Sequence, residues 1–243
     1  MYIVTSLYTN IPQDEGITIV CEAYEKYHNN SPPIPSHYLK QILSLILKEN
    51  SFQFNGMAMG TKMAVAFANL FMAEIETKLL NESRIKPKVW KRYIDDVFSL
   101  WDATRQDIDL FTDQVNTIHP TIKFTAEISE KEITFLDTVV YKGERFIKEA
   151  ILDVKTHYKP TGTFQYTHYS SCHPPSVKRG FIKGEAIRLL RTNSSEKISR
   201  RPRVTSKHDL KHMVTPQSLI EKTLSEVSFC RTAVGAQKTN QTD

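Results

Sequence analysis

The chain has 243 residues, of which 40% are hydrophobic and 24% charged, with a net charge of +5, ordinary proportions for a soluble globular protein of one large domain or two small ones. No apolar run approaches the roughly 20 residues that a membrane-spanning helix needs, and no charged-then-apolar leader opens the chain, so the sequence reads as intracellular, not secreted, with no membrane partner and with the nucleus open as an address. Three cysteines, Cys21, Cys172 and Cys230, are odd in number and far apart, which argues against a disulfide framework; Cys172-His173 lacks the Cys-x-x-Cys pairing that would point to zinc.

The charge is unevenly spread. Between Lys155 and Lys211 there are thirteen Lys and Arg against three acids (Glu185, Glu196, Asp209), so this stretch carries +10 and the rest of the chain −5. A basic block of this size suits a polyanion, nucleic acid above all, or else a solvated basic tail.

In chain order, Met1-Tyr2-Ile3-Val4 predicts a strand that begins with the chain itself, which implies a piece of something longer. Helical spacing follows over 14–28 through Ile17, Val20, Cys21 and Tyr24, ended by Ser31-Pro32-Pro33. A second helix is expected to start at a Ser36 cap and to bury Leu39, Ile42, Leu43, Ile46 and Leu47. Phe52-Gln53-Phe54 predicts a short strand running into Gly56 and Gly60, which let the backbone turn and lie close to a ligand. The long helix that follows, about 61–81, places Ala64, Phe67, Ala68, Phe71 and Ile75 inward.

Two β-branched and aromatic runs then flank Tyr93-Ile94-Asp95-Asp96, predicting a hairpin with paired carboxylates at its tip. Such a pair is either a solvated polar turn or a place for a hard divalent cation. Thr104-Arg105-Gln106-Asp107 has the form of a capping box before a helix through Ile108, Phe111, Val115 and Ile118. Strands are expected over 122–128, 133–140 and 146–154, and a basic helix over 176–191 with Val177, Phe181, Ile187 and Leu190 inward and Lys178, Arg179, Lys183, Arg188 and Arg191 outward. A last short helix is expected over 217–229. The element order is that of an α+β fold.

Several of these blocks together resemble a reverse transcriptase palm, specifically that of the Penelope-like retroelement group: Thr5-Ser6-Leu7-Tyr8-Thr9-Asn10-Ile11-Pro12, Ala58-Met59-Gly60-Thr61-Lys62-Met63-Ala64, Ala68-Asn69-Leu70-Phe71-Met72, Tyr93-Ile94-Asp95-Asp96, Ile133-Thr134-Phe135-Leu136-Asp137 and Ser171-Cys172-His173-Pro174-Pro175. The resemblance covers 1 to about 196, with the blocks in family order. It implies an incomplete palm over 1–154, an antiparallel sheet with packed helices. A partly helical, thumb-like basic segment over 155–196 and a degenerate tail over 197–243 would follow.

The implied activity is RNA-directed DNA polymerisation, a two-metal nucleotidyl transfer with Mg²⁺ or Mn²⁺ as cofactor and an RNA template, a DNA primer and deoxynucleoside triphosphates as partners. Asp95 and Asp96 would be the catalytic, metal-binding acids. Tyr8 would close off the sugar 2′ position, and Gly60 would lie against the incoming nucleotide. Lys178, Arg179, Lys183 and Arg188 would grip nucleic acid through phosphates, with Tyr158, Phe164, Tyr166 and Tyr169 available for stacking.

The departures from the family pattern are specific. The family carries its other essential Asp five residues before the aromatic, and here that position is Ile3. Losing a shared metal ligand is expected to lower turnover by several orders of magnitude. Val65 stands where a proline is usual, the fingers that precede the palm are absent, and the likeness lapses from 197 to 215. The sequence therefore implies an impaired polymerase domain, with a non-catalytic nucleic-acid-binding remnant as the alternative.

Overall fold

The computed structural model describes residues 1–29, 31–49, 56, 57, 60–161 and 170–194. It divides into two compact units, Met1–Ile128 and Ser129–Asp243. The described elements are mixed helices and antiparallel sheets, an α+β arrangement.

The first unit is built on β1 (Tyr2–Val4), which pairs antiparallel with β3 (Asp96–Leu100) on one side and β4 (Phe124–Ala126) on the other. The strand β2 (Val89–Tyr93) closes the sheet in the order β2-β3-β1-β4. Alternation along β1 sends Tyr2 and Val4 to the buried face and Ile3 to the open one. The edge at β4 is partly occupied by a side chain: Asn116 donates from Nδ2 to the Phe124 carbonyl and accepts from its N–H, taking the place of a neighbouring strand.

Helices pack the buried face. These are α1 (Leu7–Asn10), α2 (Gln13–Tyr27), α3 (Ser36–Lys48), α4 (Ala64–Glu82) and α5 (Arg105–Val115). The helix α4 buries Ala64, Phe67, Ala68, Phe71, Met72, Ile75 and Leu79, the i, i+3, i+4, i+7 stripe expected from its sequence. Close approach to α2 needs Gly16, since a Cβ there would sit 2.4 Å from Phe67 Cε1. Aromatic edges join sheet and helices: Tyr2, Trp90 and Trp101 each lie against Phe111. The capping box of α5 forms as the sequence predicts, with Thr104 accepting from the Asp107 N–H and Asp107 accepting from the Thr104 N–H.

The helix α3 departs from expectation in two ways. Ser36 is its first residue rather than a cap, and its hydroxyl donates to the Glu25 carboxylate of α2. Only Leu43 and Leu47 of the predicted stripe are buried, with Leu39 half-buried, while Ile42 and Ile46 face outward. A helix lying on a single neighbour buries a stripe about one side chain wide.

The second unit is a three-stranded antiparallel sheet, β5 (Glu132–Phe135), β6 (Thr138–Tyr141) and β7 (Asp153–Thr156), with α6 (Glu144–Glu149) and α7 (Pro175–Arg191). Here the strand expectations need correction. The predicted strand over 133–140 is a hairpin, because Leu136 and Asp137 form a two-residue turn between the paired Phe135 and Thr138. The predicted strand over 146–154 begins inside α6, which ends at Glu149, and strand structure appears only from Asp153. The strand over 122–128 is a three-residue segment that pairs with β1 and not with β5.

The inward set of α7 also differs. Ile182, Ala186 and Leu189 are buried and Val177 is exposed, because the helix presents its i, i+4, i+7 row one residue round from the row of larger side chains. Its C-terminal end is fixed to β7: Asn193 Oδ1 accepts from the Thr156 N–H, and Ser194 Oγ donates to Asp153. The predicted strand at 52–54 and helix at 217–229 lie outside the described residues.

Candidate functional site

The Asp-Asp pair sits where the flanking strands require. Tyr93 pairs with Asp96, so the hairpin loop is Ile94-Asp95 alone. Ile94 has φ +57, and Asp96 is the first residue of β3. A positive φ at the first loop position is the geometry that two-residue hairpins favour and that glycine adopts freely. A β-branched residue there is strained by an amount on the order of 1–2 kcal/mol.

What holds the strained turn is a network beneath it. Arg92, on the inner face of β2, donates from Nε to Glu76 Oε1 at 2.9 Å, from one terminal nitrogen to Asn69 Oδ1 at 2.7 Å and to the Ile94 carbonyl at 3.2 Å, and from the other to the Asn69 carbonyl at 3.2 Å. Trp90 Nε1 donates to the same Glu76 oxygen at 2.8 Å. Arg92 thus ties the turn to α4, and Ile94 packs on the core from above. Sequence reading missed this group. The available signal was alternation, which puts Arg92 on the same strand face as Trp90, so that an acid on the facing apolar helix is required.

Across the open face of the sheet one row is continuous: Tyr93 opposite Asp96, Asp96 opposite Ile3, and Ile3 opposite Thr125. Residues directly opposite in antiparallel strands have Cβ atoms about 4.5–5.5 Å apart and point to the same face. The strands are locked there by the Val4 N–H donating to the Asp95 carbonyl at 2.8 Å. Position 3 is therefore the nearest neighbour of Asp96 on the central strand. It holds a hydrocarbon side chain, 37% exposed.

Asp95 is exposed and Asp96 half-buried. Among the described residues, no group of three or more His, Cys, Asp and Glu is placed to hold a metal ion. Two carboxylates can share one Mg²⁺ with water and phosphate oxygens, but a two-ion centre needs further donors. The donor set present does not fit a two-ion centre.

Tyr8 lies on α1, half-buried against the core. Its carbonyl accepts from the Met57 N–H at 2.7 Å. Gly56 is the residue pressed against it: a Cβ at Gly56 would lie 2.2 Å from the Tyr8 oxygen and 2.5 Å from Thr9 backbone atoms. Gln13 Nε2 holds the Gly56 carbonyl at 2.8 Å. Gly60 differs, being exposed, at φ +92, with nothing within 4 Å of a Cβ placed there. The structure thus joins β1, the Asp95 turn, and the Tyr8–Gly56 contact, while Gly60 makes a turn in the open.

The second unit repeats the turn. Phe135-Leu136-Asp137-Thr138 has the same two-residue loop as Tyr93-Ile94-Asp95-Asp96, with Leu136 at φ +53 and Asp137 exposed. The basic helix sorts its cations. Arg179 and Lys183 are exposed. Lys178 Nζ donates to the Ser171 carbonyl at 2.6 Å. Arg188 is bidentate to Glu185 at 3.0 and 2.8 Å and lies over the Tyr158 ring at 5.2 Å. The bond to Glu185 holds the Arg188 guanidinium above its ordinary range, against the opposing effect of burial. Phe164, Tyr166 and Tyr169 fall outside the described residues.

One family comparison matches: residues 165–201 are similar to the animal helix-turn-helix domain. The match spans α7 and its flanks. Neither curated proteins nor solved structures give a match. No helix among the described residues is long and apolar enough to cross a membrane.

Proposed function

We propose that the chain is a reverse-transcriptase-type palm in which the acidic hairpin survives and polymerisation does not. The observation that carries this reading is the register that sets Ile3 directly across from Asp96. Nucleotidyl transfer by two ions needs carboxylates converging from separate strands, and the central strand offers the sec-butyl side chain of Ile3 in place of one. Asp95, exposed, and Asp96, half-buried, remain able to attract a single hydrated cation at weak affinity.

The test is a set of three chains: unaltered, Ile3→Asp and Ile3→Asn. Mn²⁺ affinity is measured by electron paramagnetic resonance, and Mg²⁺-dependent extension of a DNA primer on an RNA template is measured alongside. The Asp variant is expected to bind Mn²⁺ at least about tenfold more tightly than the other two. Robust extension by the unaltered chain refutes the loss of catalysis, and equal Mn²⁺ affinity in all three refutes the placement of position 3 in the metal site.

The helix-turn-helix match favours a second, compatible reading, nucleic-acid binding through the basic helix. Helix-turn-helix domains use one helix to enter a groove while neighbouring cations hold phosphates. In α7 the cations facing solvent with no described partner are Arg179, Lys183 and Arg191, while Lys178 and Arg188 are engaged within the unit. Affinity for a mixed-sequence duplex should fall with added salt, and Arg179→Glu with Lys183→Glu should flatten that dependence by about two phosphate contacts. A salt slope unchanged by the double reversal would remove α7 from the interface.

A further inference from the structure

The helix α3 is packed on only one side. Leu39, Leu43 and Leu47 form its contact stripe. Directly beside that stripe runs a second apolar wedge that stays about half exposed among the described residues: Ile34 is 50% exposed, Tyr38 53%, Ile42 49%, Leu45 63% and Ile46 44%. Tyr38, Ile42 and Leu45 are spaced by four and then three residues, the interval at which side chains of one helix meet those of a partner helix. The only charged residue between Ile34 and Ile46 is Lys40, and helical periodicity places it on the far flank of the leucine stripe.

We infer that this wedge is the contact surface of a homodimer in which α3 packs antiparallel against α3 of a second copy. Three observations select that occupant. A wedge without charge offers nothing to a polyanion, so it is separate from any nucleic-acid surface. Its area is of the right order: five half-exposed side chains of roughly 80–120 Å² each give on the order of 500 Å² per copy, toward the upper end of the largest apolar patch on an ordinary monomer, and about 1,000 Å² per pair, the lower bound for a specific interface. The pattern is also self-complementary. An antiparallel pairing that sets Ile42 on Leu45 of the second copy sets Leu45 on Ile42 by symmetry, and it places the Tyr38 hydroxyl beside the exposed Glu49 carboxylate at the helix end. No like-charged residues are brought together in that register.

The dimer is expected to be a weak one, dissociating on the order of 1–100 μM, as interfaces at the low end of the size range commonly do. Sedimentation equilibrium of the full chain from about 2 to 200 μM is expected to show a reversible monomer–dimer equilibrium. Ile42→Asp is expected to weaken it at least about 100-fold, with no change in circular dichroism or urea midpoint because the side chain is already at the surface. In a Cys172→Ser, Cys230→Ser background, a mixture of Ile42→Cys and Leu45→Cys chains should cross-link faster under mild oxidation than either alone. A chain that stays monomeric at 200 μM overturns the proposal, as does a dimer indifferent to Ile42→Asp. Cross-linking no faster in the mixture than in the separate variants overturns the antiparallel register.

Discussion

Removing Arg92 isolates the energetics of the acidic hairpin. Its side chain is 10% exposed and that of Glu76 15%, so solvent screens the pair little. Arg92→Leu leaves the Glu76 carboxylate with only the Trp90 N–H and leaves the Asn69 amide and the Ile94 carbonyl without that donor. Breaking a buried pair by removing one partner costs about 3–5 kcal/mol, most of it the stranded charge. Arg92→Leu is therefore expected to cost about 3–4 kcal/mol. Adding Glu76→Leu removes the stranded charge, and the double variant should recover about 1–2 kcal/mol of that loss despite orphaning the Trp90 N–H. Urea unfolding followed by tryptophan fluorescence reports on this unit alone, because Trp90 and Trp101 are the only tryptophans and both lie in it. If the double variant is as unstable as the sum of the single variants, the network does not hold the turn by charge compensation.

Three other perturbations separate effects that sequence alone merges. Gly56→Ala should cost about 2–4 kcal/mol, because the new Cβ meets Tyr8 and Thr9 backbone that cannot rotate away, whereas Gly60→Ala should cost only about 1 kcal/mol of left-handed strain; paired urea midpoints check the contrast. Burial raises the Tyr2 phenol above its usual range, opposed by the Thr112 hydroxyl and reinforced by Asp109. The folded chain therefore favours the neutral phenol, so this contribution is complete below about pH 10 and is lost as pH rises beyond it; Tyr2→Phe should flatten the fall in urea midpoint between about pH 9 and 11. Thr104→Ala should cost about 1 kcal/mol through the lost cap of α5, read by thermal unfolding.

The elements that sequence made legible are those set by local rules. The α4 stripe, the Thr104 capping box and the two strands around Asp95-Asp96 follow from periodicity, side-chain capping and β-branching, and each forms within a residue or a few of its expected bounds. The misread stretches needed non-local information. Residues 133–140 are apolar enough for one strand, yet the chain folds back at Leu136-Asp137 through a backbone angle that leucine seldom adopts, and no glycine marks the turn. The stretch over 146–154 has strand-like composition but begins inside α6, behind Gly143. At the site, the Asp-Asp hairpin was readable, and so was the apolar residue at position 3. Their direct pairing was not, since register between strands more than 90 residues apart is decided by the whole sheet.

That register also explains how the fold tolerates Ile3. The residues that hold β1 in place, Tyr2 and Val4, point to the buried face, as do the Trp90–Arg92 contacts of β2. Ile3 and Asp96 point the other way, into an open row that contributes little packing. An acid at position 3 would stand directly opposite Asp96, and like charges across an antiparallel pair destabilise by about 0.2–1 kcal/mol. Only a bound cation would repay that repulsion, so with no cation to bind, an apolar residue at this position is the more stable choice. Ile3→Asp should therefore lower the urea midpoint in chelator and regain stability on adding Mn²⁺, by about 1.4 kcal/mol for each tenfold of metal above its dissociation constant. Ile3→Asn should show neither effect. A midpoint of Ile3→Asp that does not respond to Mn²⁺ would mean that the acidic hairpin, with or without its facing strand, no longer forms a cation site.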